Sequence, residues 1–211
     1  MSGISAQKSK LEVATGTGGA KNITAMAIGF PTIVTSAAHG FTNGTVATFA
    51  GVTGTVGAAI NGTTRVISNV TANTYALDDF DSTGLAYTSA GTATPQVYTK
   101  VNGLLSFDGF DGAADELDTT DLDSDAKEFI SGIKDEGKFG FEAKTLKSDN
   151  GQIALRAART SGAVTGLRLT LSDLSVATFN VLVKTMPTSG GVNAVLKGKI
   201  DCKISGPVSW S

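Results

Sequence analysis

A chain of 211 residues has room for one large β domain or two small ones, each burying a core of its own. Its 26 glycines, 7% aromatic and 17% charged residues, with Thr, Ser, Val and Ala between the turns, make the composition of an all-β protein. A formal net charge of −2 supplies no general attraction to phosphates and argues against sequence-specific nucleic-acid binding.

The first ten residues hold no apolar run of the signal-peptide kind, and nowhere do roughly eighteen apolar residues follow one another. A protein made and kept soluble in a cytoplasm, with no membrane partner, is expected. Gly16, Gly18 and Gly19 precede Lys21 without the spacing of a phosphate-binding loop, and no helical pattern follows; they read as a flexible linker.

From Ile23 to about Pro95 basic residues nearly vanish, Arg65 and His39 apart, and short alternating bursts of Thr, Ala, Val and Asn dominate. Residues 23–28, 32–36, 45–50, 64–70 and 74–77 read as strands, with turns at Asn43-Gly44 and Asn61-Gly62, which makes a small β barrel or sandwich. His39 is the only histidine and lies in an Ala-His-Gly-Phe turn with no Ser or Cys partner in its motif, so it reads as a turn or edge residue rather than a catalytic base.

Residues 96–211 carry stronger periodicity and more charge. Leu167, Leu169 and Leu171 alternate with polar residues, as do Phe179, Val181 and Val183, the mark of half-buried strands. In the last strand Leu196, Gly198, Ile200, Cys202 and Ile204 share one face and Lys197, Lys199, Asp201 and Lys203 the other; a one-residue slip would bury the lysines. Cys202, the only cysteine, is thereby placed inside as a reduced thiol.

Two helices are expected. Ala126, Phe129, Ile130 and Ile133 recur at helical spacing and predict a helix over 125–133 capped by Ser124 or Asp125. Asp149 and Gln152 at capping-box spacing, Ile153 and Ala157 four apart, and Gly162 as a stop predict a second over 150–160, with Arg156 and Arg159 outward.

Between them and the low-charge stretch, residues 108–125 hold eight carboxylates and no Lys or Arg, so self-repulsion should keep part of the segment extended and solvated. Asp121, Asp123 and Asp125 open like a calcium loop, but Ala126 and Gly132 stand where that loop needs Gly and Glu, so no metal is expected. Carboxylates for glycoside hydrolysis are present by type, without neighbouring aromatics to hold a sugar. No cofactor is expected and the chain is not read as an enzyme.

The run Glu116-Leu117-Asp118-Thr119-Thr120-Asp121-Leu122-Asp123 leads into Ala126-Lys127-Glu128-Phe129-Ile130 and Gly132-Ile133-Lys134-Asp135, followed by a strand, a short helix near Gln152 and a closing β pattern. In that order these parts resemble the tail tube, or major tail, proteins of bacteriophages with long non-contractile tails. The low-charge stretch, with Ala37-Ala38-His39-Gly40-Phe41 and Val70-Thr71-Ala72-Asn73-Thr74-Tyr75, resembles a small β module that recurs in phage tail proteins.

The resemblance implies a mainly β chain: a β sandwich with one or two short helices, whose copies form hexameric rings stacked into a hollow DNA-ejection tube of the virion. On that reading residues 1–22 are an N-terminal arm and the start of the tube domain, 23–95 an insertion on the tube exterior, and 96–211 the main domain. Its partners would be further copies of itself, the tape measure, tail tip and terminator proteins, and DNA passing without specific binding.

The arm 2–19 and the acidic segment 108–125 are expected to order on assembly. Ser2, Ile4, Lys10, Leu11, Asp115, Glu116, Asp118, Asp121, Asp123, Lys197, Lys199 and Lys203 are the candidate inter-subunit contacts. A lumen of net negative potential is expected, with the three lysines placed at subunit or ring contacts, pairing with the acidic loop, rather than facing the channel. The alternative is a β-rich adhesion module recognising a host glycan or protein.

Overall fold

The computed structural model describes residues 5–121, 123 and 125–210. The protein is mainly β, with antiparallel sheets and two short helices among the described residues. The described residues divide into two compact units: 5–13 with 99–210, and 14–98.

Strand β1 (Lys10–Thr17) carries the chain out of the first unit. The second unit holds β2 (Lys21–Asn22), β3 (Ala25–Ala27), β4 (Thr32–Thr35), β5 (Thr45–Ala50), α1 (Thr55–Ile60), β6 (Thr64–Ile67) and β7 (Thr74–Leu77), and β8 (Thr92–Lys100) leads back. The first unit continues with β9 (Leu104–Gly109), β10 (Ala114–Asp118), β11 (Phe129–Lys134), β12 (Lys138–Lys144), α2 (Asn150–Ser161), β13 (Val164–Thr170), β14 (Val176–Thr185), β15 (Lys197–Ile204) and β16 (Ser209–Trp210).

In the first unit the strands run β1-β13-β14-β15-β12-β9, each antiparallel to its neighbour, with β16 on β14. Register decides the layer. Leu11 faces Leu169, Leu167 faces Phe179, Val183 faces Cys202, and Cys202 faces Phe139, so every strand presents its apolar set to one side. Those side chains form one buried cluster, within which the Phe139 and Phe179 rings meet edge to face at 4.9 Å. From Gly198 to Ile204 the β15 alternation is as the sequence predicts, and Cys202 is buried; Leu196, expected on the same inward face, instead precedes the strand and is 48% exposed.

Helix α2 packs on β14 and starts and stops where its sequence dictates: the Asp149 carboxylate accepts from the Gln152 N–H at 2.9 Å, and Gly162 is left-handed. Its buried face differs from the expected one. Gly151, Gln152 and Leu155 turn inward, while Ile153 is 45% exposed. Nor does Gln152 reach back to close a capping box. Its amide donates to the Asn102 and Lys144 carbonyls and its oxygen accepts from Leu146 N–H, tying the helix to the end of β12.

Strand β1 corrects two expectations. The stretch with Gly16 is strand, and Gly18 N–H donates to Pro95 O at 2.7 Å, so these residues are paired backbone rather than a linker. Residues 10–17 of the supposed arm are ordered within the single chain because Leu11 and Val13 alternate with Lys10 and Glu12 and both are fully buried.

The second unit contains the antiparallel strands β6-β5-β8, with β2 on β8, and a separate sheet β3-β4-β7 around a second apolar cluster that includes Phe49, Ile60, Tyr75 and Leu77. The one element absent from the all-β expectation is α1. Gly57 permits it: a Cβ there would strike the Val52 carbonyl, so this turn of helix lies directly on the strand-end backbone.

Candidate assembly surfaces

Between β9 and β12 the chain leaves the sheet as a hairpin, β10 against β11, forming a two-stranded sheet of its own. The helix expected over 125–133 is therefore strand β11 from Phe129 onward. Helical spacing of apolar residues stabilises a helix only where a surface receives them, and here Phe129, Ile130 and Ile133 are 51%, 55% and 85% exposed. With no such surface, pairing to β10 and the β preference of two isoleucines around Gly132 win.

The hairpin's neck is narrow. A Cβ on Gly112 would collide with the Asp135 carbonyl, and Gly137, at φ 78°, takes a conformation that suits glycine. Two carboxylates clamp the crossing: Asp111 accepts from Lys138 N–H at 2.9 Å, and Asp135 accepts from Gly137 N–H at 2.8 Å while holding the Lys203 ammonium. The Lys203 hydrogen bond first, then the Gly137 N–H, hold Asp135 below the usual carboxylate range; for Asp111 the Lys138 N–H is the main cause.

Beyond the neck the hairpin is apolar on both faces. Leu117, 52% exposed, faces Ile130 across the pair on one side, and Phe129 projects from the other; Ile133 lies beyond it, where the register shifts opposite Asp115. Asp115, Glu116 and Asp118 are exposed on β10, and Asp121 and Asp123 are exposed in the connection to β11. Thus the acidic segment is extended and solvated as expected, but much of it is paired strand.

The polar face of the main sheet is laced by ion pairs within the chain. Glu12 meets Arg168 at 2.8 Å, Lys197 meets Glu142 at 2.8 Å, and Lys199 meets Asp108 at 3.2 Å. Of the carboxylates held by Lys197, Lys199 and Lys203 only Asp108 belongs to the segment 108–125; Glu142 and Asp135 lie on β12 and beyond β11. The expected pairing with the acidic loop is corrected to that extent.

Of the other candidate contacts, Lys10 is exposed at the start of β1 opposite Thr170. Leu11 is fully buried in its own core, which removes it from any contact surface. Ser2 and Ile4 lie outside the described residues. Among the described residues no three His, Cys, Asp or Glu side chains converge as metal ligands do.

His39 is 2% exposed, not an edge residue: its Nδ1 accepts from Phe41 N–H and its ring packs on Phe41 and Tyr75. Burial pushes the Tyr75 phenol above its ordinary range and the Cys202 thiol up to about 12, with Asp201 adding to the latter.

One surface has no counterpart in the sequence reading. At the end of the sheet opposite the neck, where Lys144 pairs with Lys197, Thr145 N–H donates to Leu196 O at 2.8 Å and Arg156 reaches the Lys147 carbonyl at 3.1 Å. These bonds gather Leu146, Val195 and Leu196, which are 39%, 65% and 48% exposed, beside exposed Lys144 and Lys147. Its members come from β12, α2 and the connection before β15, so no contiguous motif announces it. No protein-family model matches the chain, and no curated protein sequence matches it.

Proposed function

We propose that the chain is a structural subunit that polymerises through its own surfaces into the tail tube of a long-tailed bacteriophage, and that it carries no chemistry of its own. The observation that carries this reading is the β10–β11 hairpin: an isolated two-stranded sheet that exposes Leu117, Phe129, Ile130 and Ile133. A lone hairpin is marginal in water, and one with apolar side chains on both faces gains most when inserted between other surfaces. Such a tongue does little for a solitary catalyst and much for a repeating assembly.

The ion pairs also fit a subunit that lets DNA pass: Lys197, Lys199 and Lys203 already hold carboxylates of their own chain, so they leave little free positive charge to retain phosphates. On this reading the low-charge second unit is a decoration, and the partners are further copies of the chain and the proteins that end or fill a tail.

Concentrated purified protein imaged in negative stain should show hollow rods or stacked rings. Compact single particles at every concentration and salt, with sedimentation as monomer, would sink the proposal.

A further inference from the structure

We infer that the receiver of the hairpin is the basic, apolar end of the main sheet on a second copy of this chain, so that copies stack head to tail. This rests on the tube reading and adds to it the identity of the surface that the hairpin meets.

Three observations lead there. The hairpin leaves the sheet at Lys138, where β12 begins, and the Leu146–Leu196 surface lies past Lys144, where β12 ends. The two are thus about 20 Å apart at opposite ends of one rigid strand, six rises of about 3.4 Å. A contact between opposite ends of a subunit is heterologous, and wherever its rotation does not close a ring it repeats along an axis.

Charge selects the pairing. Glu116, Asp118, Asp121 and Asp123 extend from the hairpin, while Lys144, Lys147 and Arg156 border the other end. The carboxylates that neighbour Lys144 and Lys147 along the chain are committed elsewhere: Glu142 to Lys197, and Asp149 to Gln152 N–H and the Asn102 amide at 2.7 Å. Both surfaces also expose apolar side chains, so seating one on the other removes hydrocarbon from water while opposite charges line the rim.

Charge reversal tests this in the full chain. Glu116→Lys, Asp118→Lys and Asp123→Lys together turn the hairpin basic, so both surfaces are then basic; Lys144→Glu with Lys147→Glu makes both acidic. All five positions are exposed, and circular dichroism checks that each variant keeps its strands. Each variant alone should lose at least about tenfold in association by sedimentation velocity, and the equimolar mixture, in which every contact is again opposite in sign, should return to within about threefold of wild type.

Either variant associating alone as well as wild type, or a mixture that stays dissociated while wild type polymerises, overturns the assignment and leaves the tube reading standing. A wild-type chain that never associates overturns both.

Discussion

The two units solve the same problem with different chemistry. Residues 14–98 carry only two Lys or Arg and three Asp, and their loops are held by hydroxyl and amide side chains bonded to backbone. Asn61 illustrates it: its oxygen accepts from Val52 N–H at 2.9 Å and its amide donates to Val52 O at 2.8 Å, so one side chain replaces a strand partner. Buried Thr32 likewise donates to Phe80 O at 2.8 Å. The first unit instead holds nearly all the charge, arranged as ion pairs on one sheet face and as an acidic hairpin. The lesson is that the first unit's surface responds to salt, acid and a charged partner, whereas the second, apart from its Arg65–Asp79 ion pair at 3.3 Å, offers them little to act on.

The comparison is broken hardest through the cores. The two apolar clusters share no residue, and Phe139 sits fully buried among Phe107, Phe110, Phe141 and Phe179 in the first. Phe139→Ala should cost the first unit about 3–5 kcal/mol. Cys202 reports it: buried at 1% and raised to about 12, this thiol should resist maleimide at pH 8 in the native chain and react in the variant. Unfolding of the second unit, followed by urea titration with tyrosine fluorescence as the probe because Tyr75, Tyr87 and Tyr98 all lie in that unit, should be unchanged. A loss shared equally by both units would refute their independence.

Asn61→Ala is the matching cut in the second unit. Two bonds to a part-buried backbone pair vanish, for an expected loss of about 1–3 kcal/mol in that unit alone. Because no formal charge is involved, the loss measured by urea denaturation should be the same at low and high salt. A strong salt dependence would contradict the proposed contrast.

What the sequence disclosed follows the same division. β15 was legible because its lysines cannot be buried, and α2 because Asp149 and Gly162 write its ends. The hairpin was misread because Phe129, Ile130 and Ile133 satisfy helical spacing, and spacing alone does not say whether a receiving surface exists. Helix α1 escaped because it is one short run capped by Gly54 with no side-chain cap. The basic end escaped because tertiary bonds, not chain neighbours, assemble it.

Asp149→Ala sharpens the picture at smaller scale. It deletes the cap of α2 and the Asn102 contact beside the proposed receiver, at about 1 kcal/mol. Thermal unfolding of the first unit should fall slightly, and amide exchange should quicken in the first turn of α2 and around Leu146 while the hairpin is unaffected. Faster exchange in β10 and β11 would show that the two ends of the sheet are not separate surfaces.

The finest effect is expected at the neck under acid. Asp111 and Asp135 both have folded-state pKa values below the ordinary carboxylate range, so whatever they contribute is present above about pH 3.9, the unfolded value, and is lost as pH falls through the depressed one. Both are solvent-facing, so the global stability should scarcely move. What should move is local: protonated Asp135 no longer holds Lys203 or the Gly137 N–H, and the crossing of Gly112 and Gly137 loosens. Amide exchange corrected for intrinsic rate should therefore rise in β10 and β11 between pH 5 and pH 3 with β13 and β14 unchanged, and Asp135→Asn should show the raised hairpin exchange at both pH values. A hairpin whose protection is the same at pH 3, or in that variant at pH 5, would mean that strand pairing alone, without the carboxylate clamp, sets how the tongue is presented.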